Sequence, residues 1–488
     1  MAGRCRWLLL PLGLTALNAT LWTIYATLGG NVVLHGDSAE AYAWGREFQL
    51  GYYKHPPFWS WIAGAWFSLF PHTDWAFYLL SEANASLGVL GTWVLLGRFT
   101  QGPARLAGTL LLLLTTFYTF NALRFNANTI QLSIWPWTMY FLVLSIEKKT
   151  MTSGAVLGLF AGLAILSKYY TALLLVSCLA AAMVHRDRQR YFQSPAPWIA
   201  ILVLGMLITP HFVWVAQNSY QPFIYAIAQS ERPDAKFVDS WAGFLVICVL
   251  YHVLQSAVIL AVKLRQKPRA EFLPAFDIQH GAAFLSVLAL GPFVLTLLFG
   301  LVGYRVTPLY IIPIFSLTPF LLLFLTGADA RGVARSCAWV YGVIVTVCLI
   351  AAPFVPYITM RTGGTLQPLR QVSLVAVDEW KKTIQAPLHL VSGSLPYSEA
   401  LAFYAPGDVS EFRNFNFKFA PWVTEQRVKD EGLLVVCLTE DHQCLGRAEH
   451  YKTVNTRTVE TTIVPTWGEL SGAEVAFTII MIPPEGQG

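Results

Sequence analysis

Charge is scarce in this chain. Of its 488 residues only 12% are Asp, Glu, Lys or Arg, where a soluble globular protein carries roughly a quarter. The remainder is 55% hydrophobic, with a mean hydropathy of +0.51, a balance that fits a multi-spanning membrane protein. The apolar residues come in unbroken runs of about 20, which points to spanning helices and away from the weak alternation of a barrel. No P-loop, nucleotide-binding glycine fingerprint or internal repeat occurs. The net charge of +5 sits in short loops between apolar runs, where topology accounts for it without a nucleic-acid partner.

Cysteine is sparse as well, with seven in all. Cys178, Cys248, Cys337 and Cys348 lie in apolar runs and read as small buried hydrophobes. Cys437 and Cys444 lie in the polar C-terminal region with six residues between them. In an oxidising compartment such a pair forms a disulfide. No second pair accompanies them to suggest zinc, and acids are too few to indicate a stable metal site.

The expected fold is a polytopic α-helical membrane protein of about eleven transmembrane helices followed by a small α/β domain. The spans are read at 7–28, 75–97, 104–122, 129–147, 151–167, 169–185, 197–216, 241–264, 281–302, 306–326 and 336–357. The first, preceded by Arg4 and Arg6, reads as an uncleaved signal anchor. With the N-terminus in the cytoplasm, every second loop is basic: Arg98 with Arg105, Lys148 with Lys149, Arg186 to Arg190, Lys263 to Arg269, and Arg331 with Arg335. The alternate loops then face outward, and so does everything after residue 358. This gives a spanning domain over 1–358, with a first outer loop at 29–74, and an outer domain over 359–488. In that loop, residues 37–50 and the aromatic stretch Phe58–Phe67 read as short interfacial helices. In the outer domain, strands are expected at 388–393, 433–438, 458–464 and 475–482, and helices at 398–404 and 421–430.

The outward loops hold the unusual residues. Asp37 and Glu40 stand three apart, on one face of a helix. Asp37 reads either as the cap of that helix or as a general base, and Glu40 either as a solvated first-turn acid or as a partner in catalysis. Lys54-His55-Pro56-Pro57 reads as a basic interfacial turn or as a cation site for a phosphate. Lys168, between two apolar runs, either snorkels to the interface or binds an anion. Arg124 and Arg305 share its position on the side where basic residues are not favoured. His211 follows Pro210 and reads as a hydrogen-bonded histidine or as part of the same outer group. Acids beside several cations at one membrane face suit a phosphorylated lipid donor and a hydroxyl acceptor. A divalent ion could bridge Asp37 and a phosphate.

At this point the residues resemble a family. Gly36-Asp37-Ser38-Ala39-Glu40 with Tyr42, Tyr52-Tyr53-Lys54-His55-Pro56-Pro57, Arg124-Phe125-Asn126-Ala127-Asn128, Gly158 to Tyr169 and Pro210 to Trp214 are similar to the bacterial GT-C membrane glycosyltransferases of the dolichyl-phosphate-mannose-protein mannosyltransferase-like group. That group includes the aminoarabinose transferases of lipid A and rhizobial lipopolysaccharide galacturonosyltransferases. The resemblance implies an inner-membrane enzyme that uses a polyprenyl-phosphate-linked sugar and no nucleotide, and that inverts the anomeric carbon. It implies Asp37 as the catalytic carboxylate and Lys168 near the lipid phosphate, with Lys54, His55, Arg124, Asn126, Asn128, His211, Tyr304 and Arg305 around the donor. Lys54-His55 replaces the Glu-Lys of the aminoarabinose transferases, and Asn126 and Asn128 stand where a second acid is often found. The more cationic site suits an acidic sugar such as galacturonic acid. The expected acceptor is lipid A or lipopolysaccharide. Two alternatives are a secreted protein as acceptor and, in a different class, a transporter of polyprenyl lipids. A transporter would need polar groups near mid-membrane and inverted repeats.

Overall fold

The computed structural model describes residues 2–30, 34–230, 237–266, 279–301, 311–362, 366–467 and 469–486. It divides into two compact units. One comprises Met1–Thr23, Lys54–Phe58 and Ser81–Val347, and the other Ile24–Tyr53, Trp59–Leu80 and Cys348–Gly488. This division differs from an expected break at 358. Most of the first outer loop groups with the C-terminal residues and leaves only Lys54–Phe58 in the helical unit.

The first unit is helical. Among the described residues, five helices are long and apolar enough to cross a membrane: Asp74–Leu96, Ala196–Gln217, Trp241–Arg265, Ala282–Leu301 and Ala330–Arg361. A sixth would be the pair Gly102–Leu113 and Thr116–Leu123, bent by 79°. Met151–Ser167 and Tyr169–Val184 are apolar but shorter. Among the described residues the expected count of eleven spans is therefore not confirmed. The expected 306–326 span holds only the helical pieces Ile311–Ile314 and Thr318–Thr326 among its described residues. Pro319 opens the second piece, and a proline fits the first turn of a helix better than its interior. The expected 104–122 span breaks after Leu113, where the chain passes into 3₁₀ turns.

Glycine sets the closest helix pairing. A Cβ on Gly154 would lie 2.1 Å from the Ala196 carbonyl oxygen, and one on Gly158 2.4 Å from that of Ala200. Met151–Ser167 and Ala196–Gln217 thus pack backbone to backbone, as small residues allow in membrane helices.

Basic connections expected on one side do converge. Arg98 pairs with Glu147, whose Oε1 accepts a 2.9 Å hydrogen bond from His280 Nε2, and Lys149 Nζ lies 3.5 Å from Asp187. His185 lies 3.0 Å from His280 through their ring nitrogens. These side chains come from four separate loops or helix ends, which the charge alternation had assigned to the same face.

The second unit contains a five-stranded sheet. Its strands are β1 (Leu390–Gly393), β2 (Ser410–Glu411), β3 (Leu433–Leu438), β4 (Arg457–Ile463) and β7 (Val475–Ile482), in the order β2-β1-β3-β7-β4. Strands β5 (Thr466–Trp467) and β6 (Leu470–Ser471) form a separate pair. β1 runs parallel to β2 and β3, and β7 runs antiparallel to β3 and β4. Strands β1 and β3 are buried along nearly their whole length and read as continuous apolar runs, as a covered sheet requires. Cys437 on β3 is joined by a disulfide to Cys444 in the next helix. A helix at Leu369–Thr383, not evident in the polar composition, precedes the sheet.

The two short helices expected in the first loop are present at Gly36–Gly45 and Phe58–Phe67. The first is not an interfacial helix with one wet face, because Ser38 to Gly45 are all buried. Gly45 and Gly64 account for this enclosure. A Cβ on Gly45 would meet the Ser60 carbonyl oxygen at 2.0 Å, and one on Gly64 the Gly45 carbonyl oxygen at 2.3 Å.

Candidate active site

Chemistry-bearing side chains gather in each unit. In the second unit, Asp37 occupies the first turn of the Gly36–Gly45 helix, with its side chain 45% exposed. It does not cap the helix. His35 does so, its Nδ1 accepting the Asp37 N–H at 3.2 Å and lying 3.8 Å from Asp37 Oδ2. Asp37 therefore keeps an accessible carboxyl group in the first turn of the helix.

Glu40 has the opposite surroundings. It is 2% exposed and its Oε1 lies 3.1 Å from Arg413 Nη1. The same guanidinium nitrogen is hydrogen-bonded to Glu399 and lies 3.8 Å from Glu411. A carboxylate engaged in a buried ion cluster is poorly placed to exchange protons with a substrate. Neither a solvated first-turn acid nor a surface catalytic acid describes Glu40. Arg413, Glu399 and Glu411 carry no signal in the local sequence, since they lie more than 350 residues beyond Glu40 in the chain.

In the first unit, Lys168 caps the C-terminal end of Met151–Ser167 in extended backbone, and its ammonium is hydrogen-bonded to Asn128 Oδ1. Asn126 has a different task. Its Oδ1 accepts the N–H groups of Asn128 at 2.8 Å and Thr129 at 3.1 Å, which shapes the turn that presents Asn128. The exposed Arg124 opens that turn. His55 is held well below the usual histidine range by burial and by the charges of Lys54 and Lys168. The three thus share one electrostatic neighbourhood, in which the neutral form of His55 is favoured. A site with two ammonium groups and a neutral imidazole suits a dianionic or monoanionic phosphate.

Tyr169, next to Lys168, adds a residue outside the set predicted from sequence. Its hydroxyl is 2.7 Å from His211 Nε2, and its ring stacks on Phe223 at 5.2 Å. His211 is buried in the Ala196–Gln217 helix. The glycine-mediated pairing of that helix with Met151–Ser167 is what brings the two together. Tyr304 and Arg305 lie outside the described residues. Among the described residues, no three His, Cys, Asp or Glu side chains form a candidate metal site.

Known proteins fit this arrangement. Residues 54–214 match the model of the family described as dolichyl-phosphate-mannose-protein mannosyltransferase. That stretch contains Lys54, His55, Arg124, Asn126, Asn128, Lys168 and His211. No curated relative matches the sequence. The structure is similar to that of ArnT from Cupriavidus metallidurans bound to undecaprenyl phosphate, with a TM-score of 0.62 and 14% identity over 97% of this chain and 98% of that one. The apo form of the same protein gives 0.61 and 14%, over 98% of each chain. Residues 54–214 thus follow the pattern of the mannosyltransferase family, and the fold over nearly the whole length is similar to that of ArnT.

Proposed function

We propose that this protein transfers a monosaccharide from a polyprenyl-phosphate-linked donor to a hydroxyl or phosphate of a lipid A or lipopolysaccharide acceptor. The proposed place of reaction is the periplasmic face of the inner membrane. The observation that carries the reading is the Lys54, His55 and Lys168 neighbourhood, a cationic site within the stretch that matches the mannosyltransferase family. The ArnT structure with undecaprenyl phosphate supports the donor class.

In the proposed reaction the acceptor oxygen attacks the anomeric carbon, and the bond from that carbon to the phosphate oxygen breaks. Asp37 takes the acceptor proton as general base. The polyprenyl phosphate leaves with its charge held by Lys54 and Lys168, which stabilises the developing anion. A single displacement inverts the anomeric centre. The neutral His55 offers a hydrogen bond without competing for the proton. An acidic sugar such as galacturonic acid suits this site, because Lys54 and Lys168 together offer more positive charge than a singly charged phosphodiester donor needs.

Mass spectrometry of lipid A and core oligosaccharide from cells with and without the gene tests the acceptor. The expected result is loss of one sugar from the lipopolysaccharide. Unchanged lipopolysaccharide together with a sugar lost from a secreted protein would overturn the lipid acceptor and leave the donor chemistry standing.

A further inference from the structure

We propose that Arg413 is a positioning residue for Asp37: by holding Glu40 it fixes the Gly36–Gly45 helix to the C-terminal sheet and so sets where the Asp37 carboxylate stands. The inference rests on the reading of Asp37 as the base. Glu40 lies one helical turn after Asp37, so an anchor on one governs the other. Arg413 opens a short turn, Arg413–Phe415, just after β2. From there its Nη1 reaches Glu40 of the first loop and Glu399 and Glu411 of the C-terminal region together. All four residues are at most 4% exposed.

The surrounding contacts repeat this pattern. The guanidinium lies 5.6 Å from the Trp44 ring centre and 5.3 Å from that of Tyr53, both from the first loop. Tyr53 stacks on Phe419 at 4.3 Å, and Tyr42 meets Phe403 edge-on at 5.3 Å. Ser398 donates to Glu411 at 2.7 Å and steadies the far side of the cluster. At the start of the helix, a Cβ on Gly36 would lie 2.9 Å from Pro396 Cβ, so its first turn also abuts the C-terminal region. A buried ion cluster is a poor device for stability, because apolar residues of similar volume often serve as well. It is a good device for fixing one geometry, since a guanidinium satisfies several acids only in one arrangement.

The cluster also has a charge state. Three acids face one guanidinium. Burial raises the Glu399 carboxyl to about 8, Arg413 opposes the rise, and Glu40 and Glu411 add to it. At the other end of the Tyr397–Tyr404 helix, Tyr404 is hydrogen-bonded to Asp74, with Arg370 beside that pair. The rise favours the protonated form of Glu399. Above about pH 8 it loses that proton and adds a buried negative charge to the cluster.

The test uses the full-length protein in lipid nanodiscs. Amide hydrogen exchange reads the Gly36–Gly45 helix, with β3 as an internal control, and steady-state kinetics give kcat and KM. Arg413→Lys keeps the charge and loses the fork. It is expected to remove protection from the helix while β3 stays protected, and to lower kcat by about a hundredfold with KM for the donor unchanged. Protection retained in the helix, protection lost equally in β3, or unchanged kcat would each overturn the proposal. Glu399→Gln keeps the shape and provides a reading if the first variant fails to fold. After correction for intrinsic exchange, wild-type protein is expected to lose helix protection as pH rises from the ordinary carboxyl value of 4.5 to about 8, and Glu399→Gln to lose less of it. Identical behaviour of the two overturns the proposal. If Asp37→Asn keeps full turnover, the base reading fails, and the exchange result still decides the anchoring.

Discussion

Asp37 and Glu40 occupy one helix face three residues apart, and their surroundings divide their roles. The first is half-exposed beside His35, whereas the second is enclosed against Arg413. Lys168 has a comparably specific setting through Asn128. Replacing Lys168 by Met removes a charge-assisted hydrogen bond to the proposed donor phosphate, worth about 1.5–3 kcal/mol. The expected effect is a rise in donor KM of about tenfold to a hundredfold, read by steady-state kinetics. An unchanged KM would remove Lys168 from the donor site. Asp37 and Lys168 stand out as candidates in the sequence because each is a polar residue in a short motif beside apolar runs. The burial of Glu40 was not, because its partner is Arg413, far along the chain. Asn126 shows a milder form of the same limit: the motif marked its position, but only the geometry of the turn separates its structural task from that of Asn128.

At the scale of helices and strands, the charge alternation was legible because basic loops are a direct consequence of topology. Helix continuity was less so. Composition alone does not mark the break after Leu113 or the short pieces around Pro319. Where the basic connections meet, the hydrogen bonds set the histidine tautomers. The Asp187 N–H donates to His185 Nδ1, so His185 Nε2 carries the proton given to His280 Nδ1, and His280 Nε2 donates to Glu147. Neither ring can take a second proton without losing a bond. Burial and neighbouring positive charge lower both histidines to about 4 from their ordinary 6.5. Below about pH 6.5 the unfolded chain therefore binds protons that the folded chain refuses until about pH 4, so stability is lost as pH falls through that window. Thermal denaturation of the detergent-solubilised protein is expected to show this loss, and His280→Gln to show less of it. Equal slopes in the two proteins would contradict the relay. In the sheet, the Cys437–Cys444 disulfide closes a short loop, and replacing both by Ala is expected to cost about 2.5 kcal/mol by chain entropy. A lower denaturation midpoint for the C-terminal region would show it, and an unchanged one would contradict it.

On the scale of the whole molecule, the partition into two units is the feature least visible in the sequence. Connectivity assigns the first loop to the spans on either side of it. Contacts across more than 300 residues assign it instead to the C-terminal region, through Arg413, Phe403 and Phe419. The proposed base and the proposed phosphate-binding lysines thus belong to different units. The C-terminal region holds the helix that bears Asp37.

The central claim is that Asp37 drives sugar transfer from a polyprenyl-phosphate donor. The most direct measurement compares purified wild type and Asp37→Asn in nanodiscs, supplied with a panel of undecaprenyl-phosphate monosaccharides and lipid A. Product formation and donor binding are followed by mass spectrometry. The account predicts that wild type transfers one sugar of the panel, and that Asp37→Asn binds the same donor equally well but turns over at least about a hundredfold more slowly. Turnover by Asp37→Asn at the wild-type rate would contradict it.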